Sequence, residues 1–267
     1  MVAATFRFYA GLNDLLARDR RGGDVTVPCA RHATAKHMIE ALGVPHTEVE
    51  LVLVNGRSAG LDVLLEEGDR VAVYPRFHRL DVADLVRTTA QPPGRLRFVA
   101  DAHLGALARL LRMAGFDTIY RNTLAGAEIA ALAGDEGRIV LTRDRELLKR
   151  RGVAYGAWVR ARAAPAQLAD VAERFGLAAR ARPFTLCLHC NAPLRSVPKD
   201  AVLARLPPMV RATRDAFRTC DRCGRVYWKG SHWQRMKAML EAAMGDVMDD
   251  AMHDAADDDM PRRATPR

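Results

Sequence analysis

Leu96-Arg97-Phe98-Val99-Ala100-Asp101 and Arg138-Ile139-Val140-Leu141-Thr142-Arg143-Asp144 each carry a short apolar run into an aspartate. Four to six apolar residues bounded by turn or helix-start signals read as a buried strand of an α/β sheet. The residues after each aspartate read as helix. Leu104, Leu107, Ala108 and Leu111 recur at i, i+3, i+4, i+7, the stripe of a helix laid on a sheet. In open α/β sheets ligands sit beyond the carboxyl ends of the strands, so Asp101 and Asp144 stand where chemistry usually occurs. Two carboxylates at adjacent strand ends offer the oxygen ligands that Mg²⁺ or Mn²⁺ require. The plainer reading is that each aspartate caps the helix behind it.

Outward from these runs the alternation continues. Gly115–Tyr120 reads as a helix stop and a second strand, Ala125–Ala133 as a helix carrying Glu128, Val153–Val159 as a fourth strand and Gln167–Phe175 as a last helix. Alternating strands and helices imply right-handed crossovers and a mostly parallel sheet. Gln91-Pro92-Pro93-Gly94 marks the clearest boundary. Before it, two alternating runs around Phe6–Phe8 and Val25–Val27 suggest a hairpin. Thr34 is placed to cap a helix over Ala35–Leu42, with Gly43 as its stop. Leu51–Val54 runs into the tight-turn pair Asn55-Gly56, and Gly68-Asp69 precedes a last strand, Val71–Tyr74. The order β-β-α-β-β resembles the β-grasp fold of ubiquitin-like sulfur carriers. Those carriers act through a free C-terminal Gly-Gly. Here the last strand leads to Pro75-Arg76-Phe77-His78 and the chain continues, so we expect a docking or regulatory module with a protein partner rather than sulfur transfer.

Cys187-Leu188-His189-Cys190 and Cys220-Asp221-Arg222-Cys223 supply two C-x-x-C pairs, with Asn191 and Gly224 as turn formers just after each. Thiolates at that spacing grip two sides of a tetrahedral Zn²⁺, and four cysteines close the site, which makes the zinc structural. Cys29 stands apart and reads as a small half-buried thiol. Arg225-Val226-Tyr227-Trp228-Lys229-Gly230-Ser231-His232-Trp233 mixes aromatic and basic side chains. That mixture suits base stacking and phosphate contact, or else the rings fill the ribbon's own core.

Charge is distributed unevenly. Residues 1–78 carry nine basic and ten acidic side chains, a net of −1, and residues 79–240 carry 29 and 14, a net of +15. Residues 241–267 carry three and eight, a net of −5. A basic middle with an acidic tail implies a polyanionic partner, most simply nucleic acid, or merely a solvated arginine-rich surface. No run of eighteen apolar residues and no signal-peptide pattern occur, so we expect a cytoplasmic protein with no membrane partner.

Phe98-Val99-Ala100-Asp101, Leu104-Gly105, Leu107-Ala108-Arg109, Leu111-Arg112, Gly115-Phe116-Asp117 and Leu141-Thr142-Arg143-Asp144 together resemble the PIN-like ribonuclease domain of the Mut-seven C-terminal family, from Arg95 to Trp233. In that family a β-grasp domain often precedes the nuclease. The resemblance implies an α/β PIN-like domain with a mostly parallel sheet, preceded by an α+β β-grasp domain and followed by a zinc ribbon. The expected divisions are 1–78 (β-grasp), 79–94 (linker), 95–180 (PIN-like), 181–240 (zinc ribbon) and 241–267 (acidic disordered tail). It also implies a Mg²⁺- or Mn²⁺-dependent endoribonuclease in which Asp101, Glu128 and Asp144 are catalytic and hold the metal. Cys187, Cys190, Cys220 and Cys223 hold zinc. Arg109 and Arg143 are candidate RNA contacts, or else ordinary surface arginines. Where the family often shows further acids, this chain has Gly126-Ala127, and Glu146 is either a fourth acid or a solvated residue of a helix start. The alternative is a non-catalytic RNA-binding adaptor that keeps the same folds.

Overall fold

The computed structural model describes residues 1–77, 82, 84–88 and 94–245. Most of the expected linker and, from residue 246 on, the expected acidic tail lie outside these. Among the described residues no helix is long and apolar enough to cross a membrane.

The N-terminal domain begins with β1 (Val2–Phe8) and β2 (Asp24–Cys29), then α1 (Ala35–Ala41), β3 (Leu51–Val54), β4 (Arg57–Ala59) and β5 (Arg70–Tyr74). The sheet order is β2-β1-β5-β3-β4, with β1 parallel to β5 and the other pairs antiparallel. This is the β-grasp arrangement. Alternation explains it: Ala4, Phe6 and Phe8 turn one face of β1 inward, Val71 and Val73 do so on β5, and Ile39 of α1 is fully buried with them. Thr34 caps α1 by accepting from the His37 amide, as its position predicts. Asn55 and Gly56 both adopt positive φ (51° and 79°), the hairpin turn expected there. The turn leads into β4, which is too short and polar for alternation to reveal. Cys29 is fully buried in this core.

The central region contains β6 (Phe98–Ala100), α2 (Gly105–Met113), β7 (Thr118–Ile119), α3 (Gly126–Glu136), β8 (Ile139–Thr142), α4 (Arg145–Leu148), β9 (Gly156–Trp158) and α5 (Ala164–Phe175). Its strands pair in parallel, β6 with β7 and β8 with β9. Both apolar runs are inaccessible along their whole length, which is why they read as continuous rather than alternating. The ribbon follows, with β10 (Arg195–Val197), α6 (Lys199–Val202), α7 (Pro208–Thr213), β11 (Phe217–Thr219) and β12 (Val226–Trp228) as a three-stranded antiparallel sheet and its connections. The long α8 (Ser231–Met244) closes the described chain.

Contacts divide the chain into two compact units that interleave along the sequence. One comprises Met1–Leu96 with Ala125–Trp158, the other Arg97–Leu124 with the chain from Val159. In the first, the N-terminal domain is joined to α4, to the segment after it and to β9 by polar bonds. Glu48 accepts from the Trp158 amide at 2.9 Å, Arg145 donates to the Leu15 carbonyl at 2.9 Å, and the Trp158 ring packs against the β-grasp core. His46, 5% exposed, lies between the Glu40 carboxylate (2.6 Å) and the Val153 carbonyl (2.9 Å).

In the second unit α5 packs on α2 and on α8. Phe98 meets Phe116 and Phe175 edge-on. The segment leading to the ribbon runs across the end of α2, with the Arg182 amide on Ala114 O and the Phe184 amide on Met113 O. Gly115 (φ +90°) sits beneath it, and a Cβ there would collide with the Arg182 carbonyl. Gly115→Ala combines that clash with a backbone region L-residues avoid, so we expect a loss of about 3 kcal/mol or more. Urea denaturation measures it. A variant within 1 kcal/mol of wild type, by the scale of ordinary surface substitutions, would show that the close approach is not what the glycine serves.

Candidate active site and metal centre

Asp101 follows β6 directly, and its half-buried carboxylate accepts from the Ala102 amide at 2.6 Å, capping the short helical turn Ala102–Leu104. Tyr120 donates to the Ala102 carbonyl at 3.0 Å and its ring lies where a side chain on residue 105 would go, so Gly105 admits the tyrosine that fixes this turn. Asp144, exposed, caps α4 by accepting from the Glu146 amide at 2.9 Å, while Thr142 Oγ1 accepts from the Asp144 amide. Glu128, also exposed, reaches back from the first turn of α3 to the Ala125 amide at 2.8 Å. The reciprocal bond of a capping box is missing because Ala125 has no side-chain oxygen.

Each of the three acids therefore serves as a helix cap, the plainer of the two roles its position allows. Asp101 belongs to one compact unit, Glu128 and Asp144 to the other. Glu146 pairs with Lys149 at 2.7 Å and is three-quarters exposed, the behaviour of a solvated helix-start residue. Arg109 and Arg143 are exposed, and the Arg143 carbonyl accepts from the Trp158 indole at 3.3 Å.

The cysteines come together as the spacing implies. Among the described residues, the one group of three or more potential ligands is Cys187, Cys190, Cys220 and Cys223, with all sulfurs within 4.8 Å of one another. Cys187 and Cys223 are 3.6 Å apart and Cys190 and Cys220 3.4 Å. Tetrahedral zinc, with Zn–S near 2.3 Å, sets sulfurs about 3.8 Å apart, so the cluster is close to the size the ion requires. Asn191 (φ 65°) and Gly224 (φ 69°) occupy the left-handed region just after each pair, and their amides donate to the Cys187 and Cys220 carbonyls. Both knuckles thus close on the residues expected to turn them.

The sulfurs are unequal. Burial would raise the Cys187 thiol. Hydrogen bonds from Tyr227 and from the Cys190 and His189 amides outweigh it and bring the group down to about 6. At Cys190 burial dominates, and with the neighbouring sulfurs it pushes the thiol up to about 12. The Tyr227 hydroxyl, 3.1 Å from Cys187 Sγ, is pushed up first by burial and then by that sulfur.

Sequence periodicity did not single out Arg112. It is 5% exposed and donates to the carbonyls of Thr118, Leu188 and His189, tying α2 to the first knuckle. Burial lowers its pKa, opposed by the nearby Cys187, Cys190 and Asp117. Asn191 adds to the same joint, donating to Asp117 at 2.6 Å and accepting from the Thr118 amide. An arginine just beyond the apolar stripe of a helix looks solvated, and only the distant carbonyls show why it is buried.

The family described as Mut7-C RNAse domain matches residues 96–240, and that described as Mut7-C ubiquitin matches residues 1–81. Neither the curated proteins nor the solved structures yield a match.

Proposed function

The chain belongs to the Mut7-C RNase family, with that family's ubiquitin-like domain at its N-terminus, and from this we propose that it is a metal-dependent endoribonuclease of the cytoplasm. The supporting observation is placement. Asp101 and Asp144 follow the buried strands β6 and β8 within two residues, where α/β folds present their chemistry. In this reading Asp101, Glu128 and Asp144 would hold Mg²⁺ or Mn²⁺, which would supply a bound water of lowered pKa and charge stabilisation for the leaving oxygen. One of the carboxylates would orient that water, and Arg109 and Arg143 would offer paired donors to phosphate. Zinc at the four cysteines is structural, because a site closed by four protein ligands has no position for substrate. The ubiquitin-like domain serves as a protein-docking module.

A second reading is favoured by the caps. Three acids already engaged by backbone amides, with Gly126-Ala127 where further acids would stand, suit an RNA-binding adaptor that does not cut. Incubating a mixed RNA panel with Mg²⁺, with Mn²⁺ or with neither, alongside Asp101→Asn, separates the two. Metal-dependent products lost in the variant establish the nuclease. RNA bound by both proteins and cut by neither leaves the adaptor.

A further inference from the structure

The aromatic and basic stretch after the second knuckle does not belong to the acidic site, and it lines a cavity of its own. The cavity measures about 770 Å³ and lies wholly between the ribbon, the segment entering it and α8. That is within the range of sites that enclose small organic groups. Phe184 of the entering segment, Phe217 of β11, Tyr227 and Trp228 of β12 and Trp233 of α8 supply its rings. Phe184 and Trp233 lie 5.2 Å apart, tilted by 40°. Trp228 also rests against the ribbon's small core, whereas Trp233, half-buried, opens to the cavity.

Its charged groups are mostly basic. Lys237 is paired with Glu241, and the one acid of the lining, Asp215, is already held by Lys199 at 2.9 Å. Arg218 spends one nitrogen on the Phe184 carbonyl. Lys229 is exposed and forms no ion pair among the described residues. Its ammonium stands 5.4 Å from the centre of the Trp233 ring. A cavity lined by aromatic rings and bordered by cations matches the two halves of a nucleotide: the rings take the base and the cations take the phosphate. Bases paired within a helix do not present their faces.

We propose that this cavity binds an unpaired base of single-stranded RNA, stacked on Trp233, with Lys229 and Arg218 on the adjoining phosphate. The proposal rests on RNA being the polyanion the chain handles and assigns the form in which it is held.

The test reads binding, not cleavage. Anisotropy of a labelled short single-stranded RNA is followed with the full zinc-loaded chain and no added Mg²⁺ or Mn²⁺. Base stacking on one aromatic side chain is worth roughly tenfold or more in affinity, so Trp233→Ala should weaken binding by about that factor and Trp233→Phe should largely restore it. Lys229→Glu, at an exposed position, should weaken it comparably without touching the core. An abasic strand of equal length should bind weakly to wild type and be indifferent to Trp233→Ala. Zinc content and circular dichroism confirm that each variant is folded. If Trp233→Ala does not fold, Lys229→Glu and the abasic strand decide. Unchanged affinity in the folded variants, or equal affinity for the abasic strand, overturns the proposal and leaves the cavity to a protein partner. Cutting assayed separately keeps the readings apart. A chain that binds through Trp233 and never cuts sinks only the nuclease, and one that cuts while both variants bind normally sinks only this site.

Discussion

Cys220→Ser is expected to abolish the zinc binding proposed for the four cysteines and to cost the order of the whole ribbon. The ribbon's own core consists of Val197, Val202, Leu206 and Phe217 with a few half-buried neighbours, and its strands are three residues long. So few apolar side chains and such short strands do not hold a sheet unaided. Structural zinc contributes roughly 10–16 kcal/mol in small domains, comparable with the total stability of about 5–15 kcal/mol of an ordinary protein. Loss of the knuckle also leaves the buried Arg112 without the Leu188 and His189 carbonyls that accept from it. The damage should therefore spread into α2. Zinc analysis should fall from one ion per chain to none, and limited proteolysis should open sites across 181–240. A protease-resistant ribbon in Cys220→Ser would contradict this account.

Acid should mimic the substitution. Zinc competes with protons for the same sulfurs, so affinity falls as pH falls. Near neutrality Cys187, drawn down to about 6, is already a thiolate and yields no proton on binding, whereas Cys190 must be stripped of one. Below about 6 Cys187 is protonated as well, and the loss of affinity should steepen there. Zinc release followed with a colorimetric chelator across that range reads the change of slope.

What local patterns announce and what they conceal differ for physical reasons. The buried strands β6 and β8, the cap at Thr34, the hairpin turn at Asn55-Gly56 and both knuckles are short-range matters, in which a few neighbouring residues settle backbone and burial. Hence the α/β sheet, the β-grasp domain and the cysteine cluster could be read directly. β4, β10 and α6, at three or four residues each, carry too little pattern to register. The joining of residues 125–158 to the N-terminal domain depends on Glu48 meeting the Trp158 amide and His46 meeting Val153, partners more than a hundred positions apart. Neither residue looks unusual in its own neighbourhood. Arg112 is the same case at the first knuckle.

The acids pose a sharper problem, because a capping aspartate and a metal-binding aspartate occupy the same position after a strand. Substitution by the amide separates the roles. Asparagine caps a helix about as well as aspartate, whereas alanine costs about 1 kcal/mol. Asp144→Asn should therefore keep the bond to the Glu146 amide and melt close to wild type, and Asp144→Ala should melt earlier. The same holds for Asp101→Asn at the Ala102 amide and for Glu128→Gln, whose amide oxygen still reaches Ala125. An amide is a far poorer ligand for Mg²⁺ or Mn²⁺ than a carboxylate, since it brings no charge to a hard cation. If the acids hold the metal, Asp101→Asn and Asp144→Asn should each lower RNA cleavage by about a thousandfold, equivalent to roughly 4 kcal/mol in the barrier, with stability barely altered. Single-turnover cleavage at saturating metal, set beside a thermal melt of each variant, gives both axes. Amide variants that cut as well as wild type would reduce Asp101 and Asp144 to caps, and any catalysis would then have to come from other residues.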